Sequence, residues 1–311
     1  MVGKFKWDAW TALGNMSQAE AEKQYIELVN NILPSTSSSS SSSSTKSETT
    51  TPSSSTNYIT TNVTNGILKI TLNRPDKRNA STLDMYKELT KLLKSSSESS
   101  SINIIILEGA GNFYSSGNDL SNFTANMPKG GPKQLAAEAS VLLEEFVNSF
   151  IECKKIIIAS VNGPAVGIAV TTLPLCDFVY ASHKATFHTP FTSLGLSPEA
   201  CSSITFPRSM GFTKANEMLI LGKKLTAEEA QNLNLVTEVF EDSLLKEKVQ
   251  QIAKTLNELP AASVHASKQM IRASLDINLL KAVNKRECIM LQDRWISDDC
   301  MNAIVKFMNK K

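Results

Sequence analysis

The runs NIIILEG (103–109) and IIIASV (156–161) decide the fold. Each is apolar at successive positions rather than at alternate ones. Strands of that kind have no face for water and sit in the middle of a sheet covered on both sides. Outward from them, YITTNVT (58–64) and ILKITL (67–72) are rich in β-branched residues. Asn65-Gly66 between the two is the strongest short-range signal for a hairpin. DFVYAS (177–182) and ATFHTP (185–190) predict further short strands. Apolar residues recur with helical spacing over 82–93, 133–150, 227–233, 244–259 and 281–294, and 296–310 is a further amphipathic candidate. Strands alternating with helices predict an α/β domain with βαβ crossovers and a helical C-terminal region.

Composition bounds what such a domain does. Of 311 residues 41% are hydrophobic, and 32 Lys and Arg against 30 Asp and Glu leave a formal net charge of +2. That balance provides no field to draw nucleic acid or an anionic membrane. The apolar runs are far shorter than the ~20 residues of a membrane span. The five cysteines (Cys153, Cys176, Cys201, Cys288 and Cys300) are an odd number without a C-x-x-C pair. A disulfide framework or zinc ribbon is not expected, and a reducing compartment is. No arginine-rich presequence or secretory signal opens the chain, so a soluble intracellular protein is expected.

The averages hide a break. Between residues 35 and 56 every position except Lys46, Glu48 and Pro52 is Ser or Thr. Such a stretch has no apolar surface to offset the entropy of ordering and predicts a flexible tether. It divides a head (1–34) from a body (57–311). In the head, Ser17 and Glu20 make a capping box. Ala21, Tyr25, Leu28, Val29 and Ile32 then line one helical face up to Pro34. A lone amphipathic helix needs partners to cover that face.

Two glycine-bearing loops follow the predicted central strands: GNFYSSGNDL (111–120) and NGPAVGIAV (162–170). Neither spacing fits a dinucleotide fingerprint or a P-loop. Glycine after a strand lets backbone amides approach a ligand, and a helix starting after Gly167 would aim donors at negative charge. Two such loops converging would form an oxyanion hole; ordinary tight turns would give the same glycines. Ser115 and Ser116 lack the G-x-S-x-G elbow of a nucleophile. His183 and His188 have no acidic or cysteine partner to complete a metal site.

The segments NRPDKRNA (73–80), YSSGNDL (114–120), VNGPAVGIAV (161–170), FHTPF (187–191), LSPEACSS (196–203) and KLTAEEAQNLNLVTEVF (224–240) occur in this order. The series closely resembles the crotonase, or enoyl-CoA hydratase/isomerase, superfamily over nearly the whole body. That resemblance implies a spiral of ββα units with C-terminal trimerisation helices, a homotrimer, and an acyl-CoA thioester as substrate. It implies two backbone donors for an enolate oxygen, the Ser116 and Ile168 amides. Ser115, Ser116, Gly117, Asn118, Asp119, Leu120, Gly167 and Phe191 would line the substrate. Hydratases of the family use two glutamates, at positions that correspond here to Thr171 and Phe191. Glu199 instead resembles the single glutamate of Δ3,Δ2-enoyl-CoA isomerases. It would carry a proton from C2 to C4 of a 3-enoyl thioester, with apolar neighbours raising its pKa, and no metal or redox cofactor is implied.

In the head, GKFKWDAW (3–10) and AEKQYIELV (21–29) resemble the C-terminal part of acyl-CoA-binding domains, which places Lys6 and Tyr25 at CoA-contacting positions. The other half of that bundle has no counterpart, so acyl-CoA binding by the head as it stands is not expected. Asp119 is expected to cap or brace its loop. Lys77, Arg78, Lys306, Lys310 and Lys311 are candidates either for CoA phosphates or for plain solvation. A peroxisomal location is implied, with the mitochondrion as alternative, although the chain ends MNKK rather than S-K-L. A hydratase or thioester hydrolase on the same fold, and a non-catalytic acyl-CoA-binding protein, are the competing readings.

Overall fold

The structure is a computed structural model that describes residues 58–123, 128–274 and 276–308. The head, the tether, Lys310 and Lys311 lie outside the described residues.

The two apolar runs become neighbouring parallel strands at the centre of a six-stranded sheet. They are β3 (Ile104–Gly109) and β4 (Ile156–Val161). The sheet order is β1-β2-β3-β4-β6-β9, with β1 (Ile59–Thr64), β2 (Ile67–Leu72), β6 (Phe178–Ser182) and β9 (Glu238–Phe240). Only β1 is antiparallel, joined to β2 by the expected hairpin. Asn65 and Gly66 both have positive φ there (50° and 77°), as a two-residue I′ turn requires.

The lack of alternation in β3 and β4 now has its reason. Ile105, Leu107, Ile157 and Ala159 face the main core. Residues between them, Ile104, Ile106, Ile156 and Ile158, pack with Leu245, Val249 and Ala253 on the opposite face. Those three belong to the helix Asp242–Glu258 (α7). The main core is closed by α1 (Leu83–Glu98), α2 (Gly131–Ile151) and α9 (Ile277–Trp295). Thr82 caps α1 by accepting the Met85 amide, and Phe146 of α2 meets Tyr86 of α1 edge to face at 4.9 Å. The Asn284 side chain ties α9 to α2 through the Glu144 carbonyl (3.0 Å) and Asn148 (2.9 Å).

Shorter elements complete the chain. A second sheet joins β5 (Ala165–Val166), β7 (Thr186–His188) and β8 (Leu225–Thr226). Helices α3 (Ile168–Thr171), α4 (Ser202–Met210), α5 (Phe212–Leu219) and α6 (Ala227–Asn232) surround it in sequence, and α8 (Ala261–Ala273) and α10 (Asp298–Met308) flank α9. The α/β expectation with a helical C-terminal region therefore holds. Helices α4, α5 and α8 are additions to it. Among the described residues no helix is long and apolar enough to cross a membrane.

Candidate active site

The site is built where β3 and β4 end. The loop after β3 is held from below: Asn79 donates to the Ala110 and Phe113 carbonyls, and the Ser115 hydroxyl donates to the Asn79 carbonyl at 2.7 Å. Asp119 braces its far end, as expected, through Arg74 Nη1 (2.8 Å) and the Ser121 amide (2.9 Å). Desolvation works to raise the Asp119 pKa, but the Ser121 amide and the Arg74 guanidinium outweigh it and hold the carboxyl below its usual range.

The two glycine loops do converge. Val166 N–H donates to the Ser115 carbonyl (3.0 Å) and Ser115 N–H to the Pro164 carbonyl (3.3 Å). Gly117, at φ 84°, lies so close to the second loop that a Cβ there would fall 2.6 Å from the Val166 carbonyl oxygen. No other residue tolerates both that conformation and that approach.

Which amides remain free is then a matter of hydrogen-bond accounting. Ser116 N–H, expected as the first donor, is spent on the Arg78 carbonyl at 2.9 Å. Ser81 pairs with the Asn118 region as a parallel bridge, donating to the Gly117 carbonyl and accepting from the Asp119 amide. In such a bridge the central residue turns its own N–H to the other side. The Asn118 amide accordingly has no acceptor among the described residues, and it replaces Ser116 as the first candidate donor. In the second loop, Gly167 (φ 58°) donates to the His188 carbonyl, and Val170 and Thr171 turn back onto the Gly167 carbonyl. Ile168, the first residue of α3, keeps its amide without an acceptor among the described residues.

Glu199 faces this second loop. A Cβ built on Gly167 would stand 3.7 Å from Glu199 Oε1. No hydrogen bond or ion pair reaches the carboxylate from the described residues. The residue keeps an intermediate exposure, yet its pKa is pushed up to about 8, first by desolvation and then by the Glu287 carboxylate. The buried Tyr86 phenol responds in turn, raised by burial and by the Glu199 charge.

Other expected residues fall as follows. Phe191 is buried in the main core (3% exposed). Leu120 opens a single 3-10 turn, Leu120–Phe123, and Asn118 accepts the Asn122 side chain at 2.7 Å. Thr171 is buried, its hydroxyl directed at the Gly167 carbonyl (3.4 Å). His183 accepts the Asp242 amide on a loop, while His188 lies in β7. Glu287 was not among the expected site residues. Its signal is an acid on the buried stripe of α9, which runs Leu280, Val283, Asn284, Glu287, Cys288, Leu291.

Comparison with known proteins places the chain. Residues 62–311 match the family described as enoyl-CoA hydratase/isomerase, and the chain belongs to that family. Residues 1–29 match acyl CoA binding protein. Over its full length the chain is 50% identical to human (Homo sapiens) enoyl-CoA delta isomerase 2, covering 77% of that protein. It is 42% identical to the mouse (Mus musculus) protein named enoyl-CoA delta isomerase 3, peroxisomal, covering 96% of it. A crystal structure of an enoyl-CoA hydratase/isomerase from Pseudoalteromonas atlantica T6c superposes with a TM-score of 0.74 at 33% identity, over 82% of this chain and 98% of that one. The fold is thus the crotonase fold.

Proposed function

We propose that this chain is an enoyl-CoA isomerase that converts 3-enoyl-CoA thioesters to trans-2-enoyl-CoA. The observation that carries the reading is Glu199 standing against Gly167, beside two loops whose Asn118 and Ile168 amides are unspent. In this reading the thioester oxygen lies between those amides. Glu199 takes a proton from C2, and the electrons of the C2–H bond flow into a dienolate whose oxygen the amides stabilise. The protonated carboxyl then delivers the same proton to C4, leaving the double bond between C2 and C3.

Preorganised donors act most strongly when the oxygen carries its fullest charge, and one of them is worth roughly 3 kcal/mol of barrier. A carboxyl with a pKa near 8 suits a base that must also return its proton. The proton transfer needs no metal or redox cofactor, and coenzyme A enters as part of the substrate. The Thr171 and Phe191 side chains offer no second carboxylate to activate water, which supports isomerisation over hydration. The names of the human and mouse relatives point the same way.

We further propose a homotrimer. Met270 and Ile271 of α8, Ile289 and Met290 of α9, and Met301 and Val305 of α10 are apolar and exposed, Met270 at 78%. A peroxisomal location rests on the mouse relative's name alone.

The test is turnover of trans-3-hexenoyl-CoA by the purified full chain, followed as 2-enoyl-CoA, for wild type and Glu199→Gln. The variant is expected to lose activity by about a hundredfold or more. The wild-type kcat/KM should rise with pH through about 8, as Glu199 ionises. Equal rates for the two proteins would remove Glu199 as the base. Absence of turnover by either would favour a non-catalytic acyl-CoA-binding protein.

A further inference from the structure

Glu199 does not sit on a regular element. The two residues after it, Ala200 and Cys201, both have positive φ (54° and 62°), and only then does α4 begin. Left-handed backbone is costly for residues with a Cβ, and two in succession persist only if the surroundings enforce them. Neither side chain reaches water, since both residues are 0% exposed. Something must therefore hold this turn from inside the protein.

That something is α9. Glu287 Oε2 accepts the Cys201 amide at 2.6 Å and Oε1 accepts the Ser203 amide at 3.0 Å. The same helix tethers the turn a second time, because the Cys201 thiol meets the Leu280 carbonyl at 3.2 Å. Both carboxylate oxygens of Glu287 are engaged with backbone, so this acid is not free to take a proton from substrate.

We propose that Glu287 is a positioning residue, whose carboxylate clamps the left-handed Ala200–Cys201 turn and so aims Glu199 at the reacting carbons. The clamp also sets the order in which the two acids ionise. Glu287 is raised by desolvation, but the Ser203 and Cys201 hydrogen bonds and the Arg286 charge on its own helix work to lower it. Glu199 has no such partners among the described residues and feels the Glu287 charge on top of its own desolvation. Glu287 therefore loses its proton first, and its charge keeps the base protonatable near neutrality. The other groups nearby, the Cys288 and Cys201 thiols and the Tyr86 phenol, are all raised by burial and stay neutral across this range.

The inference rests on Glu199 being the base, and its test separates the two ideas. Glu287→Gln keeps the volume and one acceptor oxygen, but it loses the charge and turns an NH2 toward one of the amides. Glu287→Asp keeps the charge and shortens the reach. For both variants kcat is expected to fall about ten- to a hundredfold, the cost of misplacing a catalytic group by an ångström. KM should stay within about twofold of wild type, because Glu287 touches no substrate. Glu287→Gln alone should move the acid limb of the rate profile to lower pH.

The same displacement is read without substrate by carboxyl 13C titration of the resting protein, the Glu199 signal being the one absent in Glu199→Gln. If wild type fails to turn over the thioester, the isomerase reading falls while this titration still decides the coupling. Wild-type kcat in both variants overturns the inference. So does a loss that tracks only the fraction of folded protein, with the Glu199 titration unmoved.

Discussion

Replacing the proposed base should make the resting protein more stable, and the amount should depend on pH in a prescribed way. Glu199 is held at a pKa of about 8 in the folded chain, against an ordinary 4.5. Below pH 4.5 the group is neutral whether the chain is folded or not, and it contributes no difference. Between 4.5 and 8 the unfolded chain releases the proton while the folded one retains it. Stability therefore falls as pH rises through that window. Above 8 both states are ionised and the penalty is constant. The gap between about 8 and 4.5 corresponds to roughly 5 kcal/mol at about 1.4 kcal/mol per pH unit.

Glutamine has the same shape and no proton to lose, so Glu199→Gln escapes the penalty entirely. Even a fifth of the full figure moves the melting temperature of a domain of this size by about 2–4 °C. The assay is thermal unfolding of wild type and Glu199→Gln at pH 4, 6, 7.5 and 9, without substrate. The variant's advantage should be near zero at the lowest pH, widen with each step and level off above 8. The other titrating groups are common to the two proteins, and those that feel the Glu199 charge, the Tyr86 phenol and the Cys288 thiol, are held neutral by burial in the folded chain over this range. An advantage that is the same at every pH, or one that shrinks as pH rises, would refute the placement of Glu199 in a desolvated site. Such a cost is what a functional acid in an apolar pocket entails, with stability given up where chemistry needs it.

Gly117→Ala puts a Cβ 2.6 Å from the Val166 carbonyl oxygen at a φ of 84°, which forces the two loops apart. Steady-state assays should show kcat reduced by about a hundredfold or more, since an amide donor leaves the oxygen it serves. Lys268→Met tests a structural ion pair instead. Lys268 Nζ lies 2.7 Å from Asp177 Oδ2 with both side chains nearly buried, but Asp177 keeps Arg272 (3.1 Å) and the Ile157 amide (2.8 Å), so chemical denaturation should show a loss of about 1–3 kcal/mol. The Glu199 carboxyl titration should not change.

How much of this was legible in the sequence follows from which forces leave a local mark. The strands 104–109 and 156–161 were readable because burial on both faces writes itself as an unbroken apolar run. Helix α8 was not, because it is held differently. Lys268 is its one buried residue, and Lys268 and Arg272 reach down to Asp177 and to the Lys155 and Leu175 carbonyls. An element attached by ion pairs shows no apolar stripe. Helix α4 starts from a left-handed turn and contains Pro207, both of which read locally as interruptions.

The site divides along the same line. Its glycines could be found from their place after predicted strands, and Glu199 from the resemblance of LSPEACSS (196–203) to the isomerases' motif. The free amide could not, because Ser116 and Asn118 differ only in how the distant segment 78–81 engages them. The Arg78 carbonyl claims the first, and the Ser81 bridge turns the second outward. Glu287 lies further still from any motif, 86 residues from the amide it holds. Chemistry that depends on a carboxylate in a strained turn thus draws its geometry from a helix that carries no recognisable catalytic signature. The residues that aim the base are to be sought among buried acids on otherwise apolar helix faces, where a charge has no reason to be unless a backbone elsewhere requires it.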